Sequence, residues 1–102
     1  MTPFFIFKTI LSCLHLEEKD FLYSRKRPFV EARTLFVYFY IREFKPKKYG
    51  TYTLLGKMLG KKHNTIIYYN DVHSILLKTN VEYRTKYTLV NQYLNDSTRT
   101  TD

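Results

Sequence analysis

The sequence predicts an all-α fold of about six helices. Three observations support this: apolar residues recur at helical spacing, prolines and glycines stand where helices would begin or end, and a length of 102 residues suits one domain. We expect residues 1–95 to form that domain and residues 96–102 to be a polar, disordered tail. Hydrophobic residues make up 44% of the chain, which favours a folded core over disorder.

The first three helices follow from helix-start residues and apolar spacing. Thr2 is the predicted N-cap and Pro3 the first position of a helix, and an acidic stretch at residues 17–20 predicts a short second one. Pro28 would open a long third helix to about Phe44. Its apolar face comprises Phe29, Ala32, Phe36 and Phe39. A strand competes by propensity, but this apolar run is too long for one strand and contains no turn.

Chain breakers separate the other three helices. Pro46 and Gly50 predict a loop that includes the lysines of residues 45–48. Thr51 or Thr53 would cap a short fourth helix through Leu59, followed by Gly60 in a left-handed conformation. A fifth helix is expected from about Lys62 to Thr79, and Asn80 would cap a sixth. Its expected apolar contacts are Val81, Tyr83, Tyr87, Val90 and Leu94.

Positive charge is concentrated in the middle of the chain. The formal net charge is +8, yet residues 25–62 hold eleven basic and two acidic side chains, against six basic and seven acidic elsewhere. Such a clustered basic stripe is typical of nucleic-acid binders. The charge alone leaves an acidic protein partner or an anionic membrane as alternatives.

Nothing in the sequence indicates catalysis, a cofactor or a metal. The serines lie in no nucleophile-elbow context, the acidic stretch is expected to be solvated, and the histidines lack metal-ligand spacing. We therefore expect no enzyme activity, no cofactor and no small-molecule substrate. Residues 4–14 are apolar but too short for a membrane span. The single cysteine, Cys13, favours a reducing compartment: the cytoplasm, at the nucleoid or in the host of a phage.

A short helix and a longer one are predicted to meet at Gly60, which is the arrangement of a helix-turn-helix. The start of the longer helix carries Lys61, Lys62, His63, Asn64 and Thr65. All five side chains can hydrogen-bond to phosphates or base edges, and the helix dipole favours phosphate there. We expect this recognition helix, residues 62–79, to lie in the major groove of duplex DNA. Tyr69 is expected to face the core, whereas Tyr68 is more exposed and a candidate for backbone contact.

Two blocks carry a resemblance to a known family. One is Ser-Arg-Lys-Arg at residues 24–27 with Val-Glu-Ala-Arg at 30–33, and the other is Leu-Gly at 55–56, Gly-Lys at 60–61 and His-Asn-Thr-Ile at 63–66. In these blocks and their spacing, the chain resembles the C-terminal DNA-binding domain of the bacterial replication initiator DnaA. The resemblance covers roughly residues 2–90.

The resemblance implies an all-helical fold like that of the Trp repressor, and it assigns roles to residues. It implies that the basic loop at residues 24–27 reaches the minor groove through Arg25, Lys26 and Arg27, with Arg25 or Arg27 inserted. Arg33 and Thr34 match DNA-contacting positions at the start of the long helix. Lys61 matches a phosphate-binding position, and the major-groove readers correspond to His63, Asn64 and Thr65.

Departures from the family pattern change the expected target. Lys62 stands where the family has an aspartate that accepts from cytosine. Lysine only donates, so it favours guanine or a phosphate. Asn64 replaces a small hydroxyl residue. No Gly-x-x-x-x-Gly-Lys-Ser/Thr motif is present, so we expect a stand-alone DNA reader in replication or transcription regulation, of a phage or mobile-element type.

Two other functions compete with duplex binding. The altered recognition residues favour a protein-interaction module that keeps the fold and binds a replication or regulatory protein. Single-stranded DNA or RNA binding would use the ten tyrosines and eight phenylalanines, but a helical pattern lacks the usual stacking sheet. Whether the chain forms a homodimer stays open.

Overall fold

The computed structural model of the chain describes residues 2–44 and 51–99, and within these ranges it contains six α-helices and no strand. The helices are α1 Pro3–Leu14, α2 Glu18–Phe21, α3 Arg27–Phe44, α4 Thr51–Leu59, α5 His63–Thr79 and α6 Val81–Arg99. The predicted all-α class is confirmed. The described helices share one hydrophobic core.

Helix α1 begins and ends on local backbone signals. The Thr2 hydroxyl accepts a hydrogen bond from the Phe5 amide at 3.1 Å, and Pro3 occupies the first helical turn, as predicted. The helix stops at His15, which has a left-handed φ of 55°. Its buried face, Ile6, Ile10 and Leu11, packs against α3 and α6.

Helix α3 is the central element of the fold. Every residue from Glu31 to Val37 is buried, so all faces of this segment are covered by other helices. It packs against α1, α2 and α5. The choice of a helix over a strand is confirmed, and so is the burial of Ala32, Phe36 and Phe39. A helix suits this position because its backbone hydrogen bonds form within the helix, so it can be surrounded on all sides although its buried residues include Glu31, Arg33 and Thr34.

A three-residue turn at residues 60–62 joins α4 to α5. Gly60 has a φ of +65°, the left-handed conformation that the sequence predicts for it. The Lys61 amide then donates to the Gly56 carbonyl at 2.8 Å, which closes the turn. Because α4 already begins at Thr51, neither Thr51 nor Thr53 precedes that helix as a cap. The predicted loop at residues 45–50 lies outside the described residues.

Asn80 alone connects α5 to α6. Its amide donates to the Leu76 carbonyl at 2.9 Å, and its side-chain oxygen accepts from the Tyr83 amide at 2.9 Å, as a cap should. Tyr83, Val90 and Leu94 of α6 are fully buried. Val81, in contrast, is 70% exposed, so its predicted core contact is wrong: it precedes the first inward-facing position of the helix.

Helix α6 extends past the predicted boundary at residue 95. It continues to Arg99, so residues 96–99 are helical, and residues 100–102 lie outside the described part. Once Val90 and Leu94 anchor the helix, each added residue gains one backbone hydrogen bond without the cost of starting a new helix. In the parts of the chain that the structure describes, no helix is long and apolar enough to cross a bilayer.

Candidate nucleic-acid interface

The first turn of α5 presents a polar and basic surface. Lys62, His63 and Asn64 are exposed, and Lys61 and Thr65 are half-buried. Lys62 occupies the N-cap position without a capping side-chain hydrogen bond, and no acidic residue lies in the first turn. The first amides of a helix have no partner within it, so this end attracts anions. The predicted reading residues are therefore together on one accessible helix end.

The α4–α5 turn depends on a close backbone approach at Gly56. A Cβ atom there would lie 2.5 Å from the Lys61 carbonyl oxygen, far inside contact distance. Because Gly56 has no side chain, the chain after Gly60 can pass close to the backbone of α4. The ring of Tyr52 in α4 then meets the His63 ring edge-on, with centroids 5.8 Å apart. This contact orients His63 at the start of α5.

The basic loop between α2 and α3 is held by local hydrogen bonds. The Ser24 amide donates to the Asp20 carbonyl at 2.9 Å, and the Ser24 hydroxyl accepts from the Lys26 amide at 3.2 Å. Arg25 and Lys26 are exposed, and no described carboxylate forms an ion pair with either. Their charges are therefore available to an anionic partner. Arg27, predicted as part of the loop, is the first residue of α3.

A buried carboxylate lies beneath Arg27. Glu31 is 4% exposed and accepts from Arg27 Nε at 3.2 Å and from Lys86 Nζ at 2.7 Å. Pairing and hydrogen bonding make the burial of this charge tolerable. The Arg27 side chain remains 62% exposed. The terminal nitrogens of Arg27 can still reach a phosphate, because Glu31 binds Nε. Lys86 in turn links Glu31 to α6.

The structure corrects the prediction for Arg33 and Thr34. Arg33 is 3% exposed: Nε donates to the Tyr69 hydroxyl at 2.9 Å, and the two terminal nitrogens donate to the carbonyls of Phe21 at 2.6 Å and Ser24 at 2.8 Å. Thr34 is fully buried and donates to the Val30 carbonyl at 2.8 Å. Neither side chain is accessible to DNA, because both are buried, and the loop and α5 cover Arg33.

Sequence reasoning missed the partners of these buried groups. Tyr69 is buried, as predicted from its helical face, but its hydroxyl binds Arg33 rather than only packing. The links of Glu31 to Arg27 and Lys86 were not anticipated either. One signal was available: Glu31 and Arg33 stand beside the long apolar run of α3, where a charge is buried only with partners.

His73, on the buried face of α5, forms the centre of an aromatic cluster with tyrosines of α3 and α6. Its ring stacks on Tyr38 with centroids 3.9 Å apart, and Nδ1 lies 2.7 Å from the Tyr83 hydroxyl. Nε2 is buried with no hydrogen-bond partner in the described structure. Burial lowers the pKa of His73 from 6.5 to about 4. Burial, with the Glu31 charge second, raises the pKa of Tyr83. His73 is therefore part of the packed interior.

Within the described ranges, no group of three or more His, Cys, Asp or Glu residues is placed to hold a metal ion. Comparisons of the chain with known protein families, with curated proteins and with solved structures found no match. The resemblance to the DnaA C-terminal domain, and with it the Trp-repressor type of helix-turn-helix, stays a prediction from sequence.

Proposed function

We propose that this protein binds duplex DNA, with the start of α5 in the major groove and the basic loop in the adjacent minor groove. One observation carries the proposal. Residues 24–26 and 61–65 are far apart in sequence, and their lysines and arginines have no ion-pair partner among the described residues. Arg33 joins the basic loop at Ser24 to α5 at Tyr69, so the two segments belong to elements that pack together. Protein surfaces that present several such cations together favour a polyanion.

The residues at the start of α5 suit different parts of DNA. Lys61 lies at the helix entrance, where a phosphate would also meet the free amides. Lys62 can donate to guanine, and Asn64 can make paired hydrogen bonds to adenine. The methyl group of Thr65 can contact thymine. Phosphate contacts would supply most of the affinity, and these base contacts would supply the discrimination between DNA sequences.

Binding to duplex DNA is expected to weaken steeply with salt. If about six phosphates are contacted, the logarithm of the affinity should fall with the logarithm of salt concentration with a slope near −5, because each contact releases condensed counterions. Fluorescence anisotropy of a labelled random duplex at several salt concentrations measures this slope. Absence of binding at low salt would overturn the proposed function.

The reading role of α5 is tested by the double variant Lys62→Ala with His63→Ala. After selection of a preferred site from a random pool, we expect the preference over random duplex to fall about tenfold, the range of one good base contact. The matched control, Ser74→Ala with Lys78→Ala, changes two exposed residues on the later turns of the same helix. A double variant that keeps the full preference would remove α5 as the reader.

A protein-binding function is the second candidate, favoured by an apolar groove. The groove lies between α1, α2 and α4, has a volume of about 670 Å³ and is lined by Phe4, Phe7, Phe21, Leu22 and Met58, among others. Phe4 is 62% exposed there. Exposed apolar patches often mark partner surfaces. The salt titration separates the two functions, since a protein-interaction module need not bind random duplex.

The proposed role is that of a DNA reader in replication or transcription regulation. The described residues form six helices on one core, and the proposed contacts all come from that unit. The target sequence is expected to differ from that of the initiator, because Lys62 is a donor where the family has an acceptor.

A further inference from the structure

The buried Arg33 side chain joins the basic loop to α5, the two elements that carry the proposed DNA contacts. Its guanidinium donates to Ser24 in the basic loop on one side and to Tyr69 in α5 on the other. We propose that Arg33 and Tyr69 are positioning residues that set the spacing between the minor-groove loop and the recognition helix, and so determine sequence discrimination. This inference rests on the proposed DNA binding.

The chemistry of the guanidinium makes this link rigid. Arginine presents its donors in a flat fork, so three acceptors around it are held at fixed angles to one another. No carboxylate in the described ranges pairs with Arg33, and its charge is solvated by the Phe21 and Ser24 carbonyls and the Tyr69 hydroxyl. A buried charge is costly without hydrogen bonds, so movement of the loop away from α5 is opposed.

The link acts at a defined place along α5. Tyr69 is six residues beyond His63, which corresponds to about 9 Å along the helix axis. The loop backbone at Ser24 is therefore held beside the second turn of α5, with Arg25 and Lys26 following directly. A base contact depends on distances of about 3 Å, so a small displacement of the loop would lose minor-groove contacts while α5 keeps its own.

The test compares Tyr69→Phe with Tyr93→Phe. The first variant removes only the hydroxyl that accepts from Arg33, and the second removes the same atom from an exposed tyrosine of α6. Thermal unfolding followed by circular dichroism identifies a temperature at which the parent and both variants are fully folded. Affinity is then measured for random duplex and for the site selected by the parent, and Arg25→Ala is introduced into each background.

We expect Tyr69→Phe to keep the salt slope on random duplex but to lower the preference for the selected site about tenfold, the factor for one hydrogen bond to a charged donor. Arg25→Ala should then cost less in the Tyr69→Phe background than in the parent, whereas Tyr93→Phe should change neither quantity. A merely destabilising change would leave the cost of Arg25→Ala the same in both backgrounds.

A second readout needs no DNA. Trypsin cleaves after arginine and lysine, so cleavage after Arg25 and Lys26 reports opening of the loop, and we expect Tyr69→Phe to accelerate it several-fold. An unchanged site preference, or a strictly additive cost of Arg25→Ala, would overturn the inference even if the parent binds DNA. Failure of the parent to bind random duplex would instead overturn the proposed function, and the inference with it.

Discussion

Replacing Gly56 with alanine is expected to lower the free energy of unfolding by about 3 kcal/mol, at the upper end of what overpacking usually costs. The added Cβ would lie 2.5 Å from the Lys61 carbonyl oxygen, which is backbone and cannot rotate away. The adjacent Lys61 amide is bound to the Gly56 carbonyl at 2.8 Å, so relief of the clash would also break the bond that closes the turn.

Urea denaturation at neutral pH measures this loss, and Gly60→Ala is its matched control. Gly60 has a φ of +65° but no atom within 4 Å of an added Cβ, so only backbone strain applies. We expect that variant to lose about 1 kcal/mol. Equal losses at the two glycines would show that the close approach at Gly56 is not the constraint on the turn.

Acidification is expected to destabilise the protein through His73. Burial lowers its folded-state pKa to about 4 from the ordinary 6.5. Above pH 6.5 the imidazole is neutral in both states. Between pH 6.5 and about 4 the unfolded chain binds a proton that the folded chain excludes, so the free energy of unfolding falls as the pH falls. The full loss, reached below about pH 4, is about 3 kcal/mol, since one pH unit corresponds to about 1.4 kcal/mol.

The geometry explains why the folded protein excludes this proton. Nδ1 is engaged with the Tyr83 hydroxyl, the ring is stacked on Tyr38, and nothing described accepts from Nε2. Urea denaturation from pH 7 to pH 4 should show a steeper fall for the parent than for His73→Gln, which cannot titrate. His15→Gln, at an exposed site, is the matched control. Parallel slopes for the parent and His73→Gln would contradict this account.

Elements with local causes could be predicted from the sequence. The Thr2 cap, the left-handed Gly60 and the Asn80 cap each depend on residues within four positions of one another, and all three are present. The clustering of the reading residues at the start of α5 follows from the same short-range pattern. The helical class follows from apolar spacing, which a single helix already displays.

Features that depend on distant contacts could not be predicted. The resemblance supplies a position for Arg33 but not the direction in which its side chain points. That direction follows from where the loop carbonyls and Tyr69 come to lie, which only the packed structure shows. The ion pair between Glu31 and Lys86 joins residues fifty-five positions apart, so it also depends on how the helices pack. Buried charges within an apolar helix therefore find their partners through tertiary structure, not through local pattern.

The one-residue joint at Asn80 has an evolutionary consequence. Successive residues of an α-helix are rotated by about 100°, so one inserted or deleted residue at the joint would turn the inward face of α6 towards solvent. Tyr83, Val90 and Leu94 would then leave the core together. Selection should therefore accept amino-acid replacements along α5 and α6 far more readily than any change in chain length between them. The length of this connection therefore determines which face of α6 points towards the core.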